Sequence, residues 1–169
     1  MELAYNSTMN AARFFGYFAI FAVLRAEYPH RCLFITGGRM VFLVIDDSST
    51  QRKIIIQALK EIGFAEVIEA ENGLSGYTVI KEKHVDFVLT DWNMPVLNGV
   101  EFSILVKGQD KYKQIPIIMI SSQGNTEDVI TAIRLKVNNY IVKPFTADVL
   151  EHKIKEVLSA IAKEKTVHV

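Results

Sequence analysis

Short apolar runs recur down this chain, and each stops abruptly at a polar residue. Val41-Phe42-Leu43-Val44-Ile45 runs into Asp46-Asp47, and Phe87-Val88-Leu89 into Thr90-Asp91. Ile117-Ile118-Met119-Ile120 runs into Ser121-Ser122, and Tyr140-Ile141-Val142 into Lys143-Pro144. Runs without polar alternation suit strands buried on both faces, the habit of parallel sheets. This pattern constrains the fold more than anything else in the sequence, because parallel strands need long crossover connections between them.

The intervening segments supply those crossovers. Residues 51–62 place Ile55, Ala58, Leu59 and Ile62 at helical spacing, with Ser48 to Thr50 as cap candidates and Gly63 as the stop. Residues 66–69 read as a shorter strand, and 73–82 as a helix with Leu74, Tyr77 and Ile80 inward, weakened by Gly76. The third strand is read at 86–90. Asn98 and Glu101 have capping-box spacing at the head of a helix to about Gly108. After a polar loop come a fourth strand at 116–120 and a helix at 126–136 opening on Glu127-Asp128. A short fifth strand at 140–142 precedes a last helix at 146–162, striped by Leu150, Ile154, Val157, Leu158 and Ile161. Five strands alternating with five helices predict a doubly wound α/β domain with helices on both faces of a parallel sheet.

Residues 1–39 follow a different pattern. They carry eight aromatic residues, no Lys and no Asp, and an apolar run from Phe14 to Leu24. Eleven helical residues span about 16 Å, short of the ~30 Å hydrocarbon core, so no stable membrane insertion is expected. A signal-peptide reading is weakened by Glu2 and by the lack of an A-x-A site after Leu24. An interfacial anchor is weakened because the run is apolar all round. The expected division is an N-terminal extension, 1–39, upstream of the native domain, and a globular domain, 40–169, starting at Met40. Mass spectrometry of the native protein tests this through its mature N-terminus.

Composition excludes some classes. Lys plus Arg equal Asp plus Glu at 19 each, so no basic excess exists to displace counterions from nucleic acid. The single cysteine, Cys32, admits no intrachain disulfide and agrees with a reducing, cytoplasmic setting. The four histidines are scattered, and none has metal-ligand spacing with the cysteine.

Parallel strands bring all their carboxyl ends to one edge, where ligands of open α/β sheets bind. That edge would collect Asp46, Asp47, Asp91, Ser121 and Lys143. Three converging carboxylates repel one another, and one must take a proton unless a cation lies among them. Hard oxygens in an open site suit Mg²⁺, which keeps several waters and accepts an incoming phosphate oxygen. Phosphoryl transfer needs positioning and charge neutralisation above all, and Asp91 is placed to attack phosphorus and become an acyl phosphate. Taken singly, Asp46-Asp47 would be read as helix caps and Lys143 as a surface ion-pair partner; their joint placement at strand ends favours chemistry.

These residues resemble those of response regulator receiver domains of two-component systems, most closely the single-domain chemotaxis regulators of the CheY type. The likeness covers 40 to about 162. It rests on Val44-Ile45-Asp46-Asp47-Ser48, Asp91-Trp92-Asn93-Met94-Pro95 with Asn98-Gly99, Ile120-Ser121-Ser122, and Tyr140-Ile141-Val142-Lys143-Pro144-Phe145. The resemblance implies the flavodoxin-like strand order 2-1-3-4-5, of which the chemotaxis regulator is a standard example. It implies Asp91 as phosphoacceptor, and Mg²⁺ held directly by Asp47, Asp91 and the backbone carbonyl of Asn93, with Asp46 acting through water. It further implies Ser121 and Tyr140 as switch residues, Lys143 as the phosphoryl-binding lysine, and a cis bond at Lys143-Pro144. Leu135-Lys136 departs from the family's usual Ala-Gly after the fourth helix.

The expected function is a stand-alone receiver in phosphorelay signalling, not a turnover enzyme. By the resemblance, a sensor histidine kinase of the chemotaxis type donates the phosphoryl group. The face made by the fourth helix, fifth strand and fifth helix then binds the flagellar motor switch or another protein, with His152, Lys153 and Lys155 as candidate contacts. A phosphatase is a further expected partner, nucleic acid is not, and Asn93 and Gln123 beside the site suggest a short-lived acyl phosphate. Alternatives are a phosphorelay intermediate or phosphate sink outside chemotaxis. An aspartyl-nucleophile phosphatase is less consistent, because Asp91-Trp92-Asn93 lacks the second acid two positions on. A flavodoxin-like cofactor carrier lacks a phosphate-binding loop after the first strand.

Overall fold

Five parallel strands carry the molecule, in the order β2-β1-β3-β4-β5. The computed structural model describes residues 40–122 and 137–166. The strands are β1 (Val41–Ile45), β2 (Glu66–Ala70), β3 (Phe87–Asp91), β4 (Ile117–Ser121) and β5 (Asn139–Val142). The helices are α1 (Ser49–Glu61), α2 (Gly73–Glu82), α3 (Gly99–Lys107) and α4 (Ala147–Thr166). The readings on 1–39, Gln123 and the helix at 126–136, including Leu135-Lys136, lie outside the described residues. Met40–Val169 forms a compact unit of its own. Among the described residues, no helix is long and apolar enough to cross a membrane.

The strands that read as unbroken apolar runs are the most buried. Every residue of β3 and of β4 is buried. Side chains alternate between the sheet's two faces. On one face Leu43, Ile45, Val88 and Ile117 join Ile80, Phe102 and Val106 of α2 and α3 in a single cluster. On the other, Phe42 stacks on Phe87 and tilts against Phe64, and the buried Ile55, Leu59, Leu150 and Ile154 come from α1 and α4. The doubly wound architecture expected from the alternation is therefore present.

Local signals set most of the boundaries. The side chain of Ser48 accepts from Gln51 N and starts α1 two residues earlier than the apolar spacing indicated. Asn98 accepts from Glu101 N at 2.9 Å, while Glu101 accepts from Asn98 N at 3.0 Å, closing the expected capping box. A second box, Asn72 with Ser75, heads α2. Asp91 proves to be the last residue of β3 instead of the first after it, because Asp91 pairs in register with Ile120.

One expectation fails on α2. Leu74 is 52% exposed, not inward, while Gly73 and Gly76 are buried. A Cβ at Gly76 would stand 2.4 Å from Ile45 Cδ1, so α2 meets the sheet through its glycines. That close approach turns Leu74 outward.

Candidate functional site

The register of the sheet assembles the site. Ile45 pairs with Thr90, Asp91 with Ile120, and Ser121 with Val142, so Asp46, Asp91, Ser121 and Lys143 leave neighbouring strands at one edge. Backbone bonds close that edge: Asp46 N donates to Ala70 O at 3.2 Å, Trp92 N to Ile120 O at 3.1 Å, and Lys143 N to Ser121 O at 2.8 Å.

At the centre lies the Lys143 ammonium. Its Nζ donates to Asp46 Oδ2 at 2.7 Å and to Asp91 Oδ1 at 2.6 Å, across 97 and 52 residues of sequence. All three groups are largely withdrawn from water, Asp46 almost completely. The remaining carboxylate oxygens are also engaged. Asp46 Oδ1 accepts from Ser48 N at 2.9 Å, and Asp91 Oδ2 from Asn93 N at 2.8 Å. Charge-assisted bonds of this kind are the strong ones, and they fix both carboxylates in orientation.

The electrostatics divide unevenly. Burial pushes the Asp91 carboxyl above its ordinary value; the Lys143 hydrogen bond and charge oppose this, and the neighbouring Asp46 charge reinforces it. Burial acts to lower Lys143, but hydrogen bonds and charge from both carboxylates outweigh it, so the ammonium is held above its ordinary value. The asymmetry is physical. Lys143 faces two anions, whereas Asp91 faces one cation and one anion. Asp91 is thus a desolvated carboxylate at the rim of a sheet, oriented by Lys143 Nζ and Asn93 N.

The other candidates fall around this triad. Asp47 is exposed beside Asp46, and Asn93 is exposed beyond Asp91. Ser121 is buried at the end of β4. Tyr140, on β5, lies edge-on to Trp92 with ring centroids 6.0 Å apart. Lys143-Pro144 is cis. On α4 the candidate contact residues are engaged with neighbouring acids: His152 with Glu156 at 3.2 Å, Lys153 with Glu156 at 3.0 Å, and Lys155 with Glu151 at 2.7 Å. Exposed pairs of this type contribute roughly 0–1 kcal/mol and leave the charges open to exchange for a partner's.

The expected convergence of three acids is narrower than the sequence suggested. Among the described residues, no group of three Asp, Glu, His or Cys side chains is gathered closely enough to hold a metal ion by itself. Two carboxylates converge, and the cation between them is Lys143. The donor set still fits Mg²⁺ chemically: buried Asp46 and Asp91, exposed Asp47 and the nearby Asn93 carbonyl are all hard oxygens. With one lysine against three acids, the cluster retains negative charge for a divalent ion that takes water for its remaining positions.

Two residues that shape the site carried little sequence signal of that role. Gly99 stands with Asn98 at a helix start and in the family motif, with no sign in the sequence of what its lack of a side chain serves. A Cβ there would stand 2.1 Å from the backbone oxygen of Asp91, so α3 can begin this close to β3 only with glycine. Arg52 of α1 belongs to no motif in the sequence, and its Nη1 donates to Asp46 O at 2.7 Å.

Comparison with known proteins places the chain in a family. The response regulator receiver domain family matches residues 42–155. A chemotaxis protein CheY homolog of Campylobacter jejuni is 47% identical over 120 residues, covering 70% of this chain and 92% of that protein. Chemotaxis protein CheY1 of Helicobacter pylori is 45% identical over 120 residues, covering 70% and 97%. The solved structure of Vibrio cholerae chemotaxis protein CheY4 matches with a TM-score of 0.66 at 28% identity, covering 71% of this chain and 99% of that one. The family match and the sequence kinship, over a chain whose strand ends bring two buried carboxylates to one lysine, lead to one assignment: the chain belongs to the response regulator receiver family, as a receiver domain of the CheY type.

Proposed function

We propose that Asp91 is the phosphoacceptor of a cytoplasmic chemotaxis receiver, taking its phosphoryl group from the phosphohistidine of a sensor kinase and answering to the flagellar motor switch. The observation that carries this reading is the Lys143 ammonium bonded to both Asp46 and Asp91. The chemotaxis assignment is supported by the names of the relatives.

In the step proposed, an Asp91 carboxylate oxygen attacks phosphorus and the donor's N–P bond breaks. The donor nitrogen leaves with the bonding pair and takes up a proton. Lys143 already lies against the attacked carboxylate and would pass one of its N–H bonds to a phosphoryl oxygen. Asp46 keeps the lysine charged and in place. Ser121, at the next strand end, would donate its hydroxyl to another phosphoryl oxygen. Mg²⁺, when bound, neutralises charge on the transferred group; Asp46, Asp47, Asp91 and the Asn93 carbonyl would hold it. A new dianionic group at this edge biases the packing of Ser121 and Tyr140, and through Tyr140 the surface of β5 and α4 offered to a partner.

The test is incubation with acetyl phosphate, with and without Mg²⁺, read by intact mass. Wild type is expected to gain one phosphoryl group only with Mg²⁺, and Asp91→Asn none. A folded wild type that gains nothing, or an Asp91→Asn variant that gains as much, would overturn the assignment.

A further inference from the structure

Arg52 lies outside the phosphoacceptor triad, in the first turn of α1, with a side chain 17% exposed. Its guanidinium is spent on two acceptors from different elements. Nη1 donates to the backbone oxygen of Asp46 at 2.7 Å, and Nε to Glu69 Oε2 of β2 at 3.0 Å. Asp46 thereby has every polar atom engaged: its N with Ala70 O, its O with Arg52, Oδ1 with Ser48 N and Oδ2 with Lys143. Three of these four bonds are made by groups that also serve the strand ends or the helix cap. The Arg52 bond adds a side-chain tie between the turn that carries Asp46-Asp47 and the side of the sheet away from Asp91, where the backbone bond of Asp46 N to Ala70 O already reaches β2.

We infer that Arg52, held by Glu69, is a positioning residue for the acidic pair: it fixes the peptide linking Asp46 to Asp47 and so sets where both carboxylates point. The planar fork of an arginine suits this task, since it meets two acceptors at fixed directions, whereas a lysine presents a point charge. Restraint of ligand orientation from outside the ligand set governs metal affinity, and its loss commonly costs 10- to 100-fold. Charge cannot be the main effect. Glu69 neutralises Arg52, and an uncompensated cation here would repel a divalent ion.

This inference rests on the reading of the site as a Mg²⁺-dependent phosphoacceptor, and the test separates the two. The full-length chain is titrated with MgCl₂ by calorimetry, and phosphoryl gain from acetyl phosphate is timed at limiting and saturating MgCl₂. The double variant Arg52→Gln/Glu69→Gln leaves net charge unchanged while removing the tether. It is expected to bind Mg²⁺ about tenfold more weakly, with phosphorylation at saturating MgCl₂ restored to within about threefold of wild type. Unchanged or tighter Mg²⁺ binding, with only a lower melting temperature, would make Arg52 merely structural and overturn the inference. Should the double variant fail to fold, Arg52→Lys keeps the charge and loses the fork; it is expected to weaken Mg²⁺ binding about threefold, and wild-type affinity would overturn the inference equally. A wild type that binds no Mg²⁺ and gains no phosphoryl group would instead fell the reading of the site itself.

Discussion

Substitution of Gly99 by alanine offers a sharp test of how the fold supports the site. The added Cβ would stand 2.1 Å from the Asp91 backbone oxygen, 3.1 Å from its carbon and 3.3 Å from Thr90 Oγ1. A carbon rests comfortably no nearer than about 3.3 Å from a carbonyl oxygen, so either α3 or the end of β3 must yield by roughly 1 Å. Both are anchored. Gly99 N donates to Trp92 O at 3.0 Å, and Thr90 Oγ1 donates to the same Asp91 oxygen at 3.1 Å. Overpacking against backbone costs about 1–3 kcal/mol, and one weakened hydrogen bond adds about 1 kcal/mol, so a loss of about 3 kcal/mol is expected. For a domain of this size that lowers the melting temperature by about 10 °C. Gly76→Ala is the control. Its Cβ would meet side-chain atoms, Ile45 Cδ1 at 2.4 Å and Cγ1 at 3.1 Å, which yield more readily than backbone. The helix-propensity gain of about 1 kcal/mol partly offsets the crowding of the buried Ile45, and a loss smaller than that of Gly99→Ala is expected. Urea denaturation of both variants gives the comparison, and acetyl phosphate labelling gives the functional arm: a displacement near 1 Å at Asp91 should slow phosphoryl gain about 100-fold in Gly99→Ala. If Gly99→Ala lies within 1 kcal/mol of wild type, or if both variants lose equally, close approach is not what holds that glycine.

Three further outcomes are expected. Val96, 74% exposed, has φ 70° and is spanned by a Leu97 N to Pro95 O bond of 2.8 Å, a tight turn that suits no β-branched residue. Val96→Gly should therefore stabilise the protein by about 1 kcal/mol in denaturation, and a loss would refute the strain. Lys107 Nζ donates to the oxygens of Lys113, Ile115 and Asn138, and burial lowers it from 10.5 to about 8. Between those values the unfolded chain holds the proton that the folded chain has released, so wild-type stability relative to Lys107→Met should rise as pH increases from 8 towards 10.5, by at most about 3 kcal/mol. A pH-independent difference would refute this. Tyr140→Ala should leave acetyl phosphate labelling intact and weaken binding to the phosphorylation-dependent partner; unchanged binding in a pull-down with motor switch protein would break the proposed coupling through β5.

The sequence was most readable where one physical demand dominated. Residues 41–45 and 117–120 had no polar interruption, and both strands are nearly or wholly buried. Asp46, Asp91 and Lys143 were legible because polar residues that end apolar strands must reach a common edge. Strand order was not legible from periodicity, since one apolar run pairs as well as another in a parallel sheet; it came with the family resemblance. Leu74 was misread because a helical stripe says which residues are apolar, not how near the helix approaches. Gly73 and Gly76 decide that, through contacts with Leu97, Phe102 and Ile45. Arg52 and Lys107 escaped notice for a related reason. Each reaches at least one backbone oxygen, and no pattern of side-chain types advertises a carbonyl.

The bond from Lys143 to Asp46 spans 97 residues, and this bears on when the protein becomes competent as well as how. β1 lies between β2 and β3, so the strand made first waits for partners made later. At about 5–20 residues per second, the ribosome takes roughly 5–20 s to travel from one end of that bond to the other. Among the described residues, the cation that Asp46 and Asp91 share is Lys143, so until it arrives that bridge is missing. On the function proposed above, a nascent or truncated chain lacking β5 would hold Asp91 without the lysine that meets the phosphoryl oxygens, and would be labelled poorly by a phosphodonor. On that proposal, completion of the last strand of the sheet would act as a licence, confining phosphoryl acceptance to chains whose sheet is complete.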